Sequence, residues 1–235
     1  MSAARANLPR LLFRRVIVLA AGAALGGCAG GLHSDAPPTQ VYVLRAAASP
    51  QADLVGRPDA SLRLGRPIAG PGLDSDHIVL VQSEHRMSYY VGSRWPAGLP
   101  EVVEALAVDT LRTSGAWSTV QDSSSTFSAD YLLQIVIRRF EADYTANAGQ
   151  PDVHVVLDCT VGKRAGREIL ASFVAEGSST AAANRLGDVV SAFQDAANQA
   201  LGGIAERTSQ AVRGASEHHV TSSQNVETPV PSITR

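Results

Sequence analysis

The sequence predicts an α+β domain: a single antiparallel β-sheet with two α-helices packed on one face. Three observations carry that prediction. Three segments in succession alternate apolar and polar residues and are joined by short turn-rich connections. Two longer segments repeat their apolar residues at helical spacing. Each strand has one drier face and each helix one apolar stripe, so a sheet covered on one side buries both at once.

The first of the alternating segments runs from Asp130 to Phe140, where Tyr131, Leu133, Ile135 and Ile137 interleave with Leu132, Gln134, Val136 and Arg138. Period two with β-branched residues is a strand signal. After Asn147, Gly149 and Pro151, a second strand alternates Val153, Val155, Leu157, Cys159 and Val161 with a wetter set that includes His154, Asp158 and Thr160. A turn at Gly162 to Arg167 leads to the third, with Ile169, Ala171, Phe173 and Ala175 on one side. Consecutive strands on short connections imply an antiparallel meander. Weaker strand signals precede them at Val41 to Arg45, Leu62 to Arg66, Ile78 to Gln82 and Met87 to Val91.

The first helix is announced by Pro100, which suits the first helical position, and by Glu101 and Glu104 near the positive end of the dipole. Val103, Leu106, Ala107, Thr110 and Leu111 form its stripe, and Gly115 is a natural stop. The second carries Leu186, Val189, Val190, Phe193, Ala197, Ala200, Leu201 and Ile204 opposite Asp188, Gln194, Asp195 and Gln199. Gly202 and Gly203 are expected to weaken its last turn.

The ends of the chain read differently. Residues 1–27 hold a basic opening (Arg5, Arg10, Arg14, Arg15) and then an uncharged apolar run of about a dozen residues, the order of a secretory signal and short of the ~20 residues of a bilayer-spanning helix. Leu25-Gly26-Gly27-Cys28 resembles the bacterial lipobox, which implies cleavage before Cys28 and lipidation of its thiol. Two or three acyl chains anchor a protein stably where one does not. Ala29 stands where an aspartate would resemble the inner-membrane retention signal, which favours the outer membrane and its periplasmic face. Residues 28–40 are small, polar and Pro-bearing, a spacer composition. The folded domain is expected over 41–208. Residues 209–235, rich in Ser, Thr, Gln and His with Pro229 and Pro231, read as a disordered tail.

Composition narrows the function. A formal charge of −2 and 5% aromatic residues give none of the basic footprint of a nucleic-acid binder. With Cys28 acylated only Cys159 remains, so no intramolecular disulfide is expected. No G-x-S-x-G, H-E-x-x-H or P-loop pattern occurs, and neither a catalytic residue, a metal nor a cofactor is expected. Asp74-Ser75-Asp76-His77 has ligand-type atoms, yet a turn opening the strand Ile78-Val79-Leu80-Val81 accounts for it. His154 and Asp158 lie about 13 Å apart at strand rise, too far to pair. Cys159 falls on the apolar side of its strand, as a core position does. The best contact surface is Tyr89, Tyr90, Arg94 and Trp95, residue types that combine area with a polar handle; for Trp95 the favoured reading is an anchor of the first helix against the sheet, which is compatible with a contact role.

The order of these features resembles the auxiliary lipoproteins of ABC-type transport systems, the group that includes paraquat-inducible protein C. The resemblance rests on the lipobox, Tyr42-Val43-Leu44, Pro71-Gly72-Leu73-Asp74 leading to Ile78-Val79, and Tyr89-Tyr90 with Gly92-Ser93-Arg94-Trp95. It continues through the Pro-led helix and Ala129-Asp130-Tyr131, spanning roughly Val41 to Glu206. Gly92-Ser93 before Arg94 departs from a more usual Gly-His step, and the polar tail is long. The resemblance implies a non-enzymatic envelope component, membrane-bound through its lipid anchor, working with an ABC permease and a mammalian-cell-entry-type substrate-binding protein in lipid transport. A homo-oligomer is compatible with it. Two rival readings stand beside it: a lipid- or glycan-acting envelope enzyme using Asp76, His77 or His85, and a general outer-membrane assembly lipoprotein.

Overall fold

The structure, a computed structural model, describes residues 38–47, 60–147 and 149–224. The expected signal, Cys28, nearly all of the spacer and residues 225–235 lie outside the described residues. The chain divides after Pro38, and every element below belongs to the unit from Thr39 to Arg235. Among the described residues, nine strands and two α-helices follow in the order β1 (Gln40–Val41), β2 (Ser61–Leu64), β3 (Ile68–Ala69), β4 (His77–Gln82), β5 (Arg86–Arg94), α1 (Leu99–Thr113), β6 (Thr119–Gln121), β7 (Tyr131–Asp143), β8 (Asp152–Lys163), β9 (Glu168–Thr180) and α2 (Leu186–Gln224). The α+β class holds, with α1 and α2 in contact with each other and with the sheet.

The sheet is mixed, which corrects the expectation of a purely antiparallel one. Strand β7 is its spine. Along one edge it pairs antiparallel with β8 over nearly its whole length, and β8 pairs antiparallel with β9. Along the other edge three short strands lie end to end, all parallel to it: β2 on Leu132, β3 on Val136 and β4 on Ala142. Beyond β2 lies β6, and beyond β4 lie β5 and then β1. The meander was visible because its pairs are sequence neighbours. The parallel half required β2 and β4 to find a strand many residues downstream, and no local pattern encodes that choice.

A bulge keeps β7 in phase with the core. Ile137 faces Leu157 and Arg139 faces Val156, leaving Arg138 as the extra residue. A bulge shifts the alternation by one, so Phe140 turns inward and is 1% exposed. Without it, Phe140 would share the outer face with Gln134 and Val136. The core is one cluster between the sheet and the helices, centred on Trp95, Phe140 and Phe193. Trp95 meets both phenylalanines edge-on at 5.9 and 5.4 Å, and the two phenylalanines stack at 5.2 Å.

Helix α2 reaches far past the expected end of the domain. It passes through Gly202 and Gly203 and runs to Gln224. Thr208, Ser209 and Val212 are buried, Val212 completely. The stretch that read as the beginning of a disordered tail is therefore helical as far as Gln224. Its inner face carries the hydroxyl-bearing Thr208 and Ser209: Ser209 donates to the Ala205 carbonyl at 2.7 Å, and on the exposed side Ser216 donates to that of Val212 at 3.0 Å. The bond back to Ala205 gives the buried Ser209 hydroxyl its partner inside the helix, so a polar residue can sit on the packed face without an unsatisfied group. Among the described residues, no helix is long and apolar enough to cross a membrane.

Candidate functional site

The site is built where β5 leaves its pairing with β4. Val79 faces Tyr89 and His77 faces Arg94. Two steps on β4 thus span five on β5, and the surplus is thrown outward at Tyr90, Val91 and Gly92. Gly92 turns the chain with φ at +69° and nothing within 4 Å of where a side chain would begin, a conformation glycine adopts without penalty. The Ser93 hydroxyl, itself buried, donates to the Tyr90 carbonyl at 3.0 Å and staples the base of the bulge. At the crest Val91 is 99% exposed, and Met87 and Tyr89 are about two-fifths exposed beside it.

Polar groups fix the flank. The His77 ring lies against Tyr89 with centroids 4.7 Å apart. Arg94 reaches Asp76 at 3.4 Å, and His77 Nδ1 stands 3.8 Å from the other oxygen of the same carboxylate. Together these residues and Thr39 border an open depression of about 580 Å³. Tyr90 points the other way, half-buried, its hydroxyl 2.7 Å from that of Tyr144, which donates to Asn184 at 2.8 Å. Tyr90 therefore donates to Tyr144. Burial first, and this bond second, push the Tyr90 phenol well above its ordinary range, so it stays neutral and structural.

Of the four residues singled out from the sequence, the structure brings Tyr89 and Arg94 to the surface together. Tyr90 is shared between surface and core. Trp95 is 1% exposed and is corrected to a core residue: its backbone N–H is held by the Asp76 carbonyl at 2.8 Å, and its ring fills the space between β7 and α2. Val91 and Met87 were missed. Their signal was the doubled aromatic Tyr89-Tyr90 followed by Val91-Gly92, which breaks the period of two.

The residues of the enzyme reading do not converge. Asp76 and His77 open β4, while His85 sits past its other end, in a tight turn where Glu84 and His85 both have positive φ. Among the described residues, no group of three or more His, Cys, Asp or Glu could hold a metal ion. Cys159 is 2% exposed, and burial chiefly, with Asp158 beside it, pushes its thiol up to about 12. A thiol so placed is not a nucleophile.

Comparison with known proteins agrees with this architecture. Among solved structures, protein XCC0632 from Xanthomonas campestris, of the DUF330 family, is similar with a TM-score of 0.68 at 21% identity, over 76% of this chain and 99% of that one. An uncharacterised protein is similar with a TM-score of 0.58 at 13% identity, over 73% and 99%. These likenesses show the fold. No curated protein matches the sequence. The family model of the ABC-type transport auxiliary lipoprotein component matches residues 42–205, most of the chain, from the strand-entry segment at Tyr42 into α2. The chain therefore belongs to the ABC-type transport auxiliary lipoprotein family.

Proposed function

We propose that this protein is a tethered docking component of an ABC transport system of the mammalian-cell-entry type, moving lipid between the two membranes of the envelope. In this reading it is held at the periplasmic face of the outer membrane by acyl chains on Cys28, and it acts by protein contact and not by catalysis. Family membership supports the transport role, and the lipobox supports the anchor. The observation that carries the docking mode is the bulge on β5: a rigid, stapled projection with Val91 fully exposed at its crest and Tyr89, Met87 and Arg94 around it. Exposed apolar side chains on a rigid base desolvate on contact without first paying to become ordered.

Cross-linking the intact protein in envelopes and identifying its captured neighbours tests the reading. The expected result is recovery of the permease or the entry-type protein, and loss of that recovery in a Tyr89→Ala/Val91→Asp/Arg94→Glu variant whose level and membrane association are unchanged. Capture of outer-membrane barrel-assembly components in place of transporter subunits would overturn it. So would full capture by the triple variant, as far as the bulge is concerned.

A further inference from the structure

A second feature lies at the opposite end of the long strands, at the turn joining β8 to β9. Lys163, Arg164 and Arg167 stand within five residues there and line, with Leu132, Glu168 and Ile169, a shallow depression of about 330 Å³. Elsewhere Arg66, Arg94, Arg138, Arg139 and Arg185 each meet a carboxylate. Among the described residues no ion pair engages the three cations of the turn. Glu168 is the only acidic residue lining the depression. Asp130 lies close enough for Lys163 to favour its ionised form, but its carboxylate is committed to Ser61, whose hydroxyl and N–H donate to it at 2.6 and 2.8 Å.

The turn is also held in an unusual shape. Gly166 has φ at +79° and Arg167, a residue with a β-carbon, at +55°. A non-glycine residue in this region is uncommon and costs free energy, and here the geometry spreads Arg164 and Arg167 over an exposed tip. Apolar side chains flank the charges: Ile169 is 67% exposed and half-buried Leu132 lies across the ladder from Gly162. Phe127, 76% exposed, belongs to the loop that leads to Asp130, whose carbonyl accepts from Arg164 N–H at 2.9 Å.

We infer that this turn docks on the anionic surface of a phospholipid bilayer, with Lys163, Arg164 and Arg167 against lipid phosphates and Ile169 and Phe127 at headgroup depth. Three features favour a bilayer over an acidic protein. The tip is exposed, and the depression it borders is shallow and open, with no deep, shape-defining pocket. Its apolar side chains are single and separated, as suits a soft interface that accepts each independently. Among the described residues its cations enter no ion pair, and basic residues near an anionic leaflet are attracted within about a Debye length. The inference draws on the tethered reading only for bringing the domain to the membrane.

Lys163 is the only lysine in the chain, so it reports on this tip without engineering. The full-length lipidated protein is reconstituted in vesicles of pure phosphatidylcholine and in vesicles with a third of the lipid replaced by phosphatidylglycerol. An amine-reactive ester is added, and the modified Lys163 peptide is followed by mass spectrometry. Labelling slowed about fivefold by phosphatidylglycerol, and restored by 0.5 M salt, is the expected result for charge-driven docking. An Arg164→Glu/Arg167→Glu variant keeps the reporter and is expected to label equally in both vesicles; both residues are exposed, and a melt of the variant matching the parent's checks that the fold is kept. Equal labelling of the wild type in both vesicles overturns the inference, as does protection that salt leaves intact. Flotation of the protein with neutral vesicles tests the acyl tether separately, so failure of the anchor and failure of the docking are told apart.

Discussion

Replacing Gly177 by alanine tests the way α2 is seated on the sheet. Gly177 lies in β9 opposite Val155, at a point where the helix backbone comes close. A β-carbon there would collide with the Ala196 carbonyl oxygen, lying 2.9 Å from its carbon and 3.0 Å from the Ala200 nitrogen. All three are backbone atoms, so no side chain can swing aside and the helix itself has to move. Ala192, Ala196 and Ala200 are all buried, which is what allows the approach.

The magnitude follows from two opposing effects. Overpacking a tight core costs about 1–3 kcal/mol, and a backbone collision belongs at the upper end. Alanine in place of glycine within a strand returns about 0.5–1 kcal/mol of unfolded-chain entropy. A net loss of about 2 kcal/mol is expected, or a fall in Tm of about 4–8 °C for a domain of this size. Gly202→Ala is the internal control: nothing lies within 4 Å of its added carbon, and a mid-helix glycine replaced by alanine gains up to about 1 kcal/mol. Calorimetry or urea melts of the two variants read both signs. A Gly177→Ala protein as stable as the parent would refute the close seating of α2 on β9.

Three further outcomes are expected. Trp95→Ala removes the ring that touches both Phe140 and Phe193 and is expected to cost about 3–5 kcal/mol in denaturant melts, whereas Val91→Ser at the exposed crest stays within about 0.5 kcal/mol. Asp130 has its folded pKa lowered, chiefly by the Ser61 hydroxyl and then by the Ser61 N–H; a lowered carboxylate stabilises above its unfolded value of about 3.9 and loses that contribution as pH falls through the folded value. The stability gap between wild type and Asp130→Asn is therefore expected to be constant above pH ~5 and to close on acidification below it, which acid titration at fixed urea measures. Finally, a thiol reagent at pH 8 is expected to leave Cys159 unmodified until urea unfolds the domain, and peptide mapping that finds a labelled Cys28 in the mature protein would contradict its lipidation.

What could be read from the chain alone was what its neighbours in sequence determine. The β7–β8–β9 meander and α1 came through because their apolar periods are local, and Pro100 and Gly115 bracket α1 within two residues of its observed ends. The pairing of β2, β3 and β4 along one edge of β7 did not, because each contributes only two or three ladder positions there and parallel register is a tertiary choice. β6, three residues long, is below the length at which a period can be recognised. The continuation of α2 past Ser209 was masked by serine and threonine on its buried face. At the candidate site, Tyr89 and Arg94 were legible by residue type; Trp95 shared that type but also read as the anchor of the first helix, and its position one residue after the strand turns it inward.

The two surfaces differ in the kind of support behind them, and that difference bears on function. The β8–β9 turn closes a long ladder of strands twelve and thirteen residues long, shifted by one residue at Leu170 just before the turn and packed against α2. The β5 bulge sits on a ladder interrupted between His77 and Val79, and beyond β5 lies only the two-residue β1. From Arg86 to Gly92 its outer edge therefore has no strand partner among the described residues. An edge left open would invite unwanted pairing, and the bulge answers this by turning the strand away at Gly92 while presenting Val91. The edge is thus shaped to admit side-chain contact and to refuse continuation of the sheet. Under the docking reading proposed above, a partner would engage the crest and the flank of Tyr89 and Arg94, not the backbone of β5.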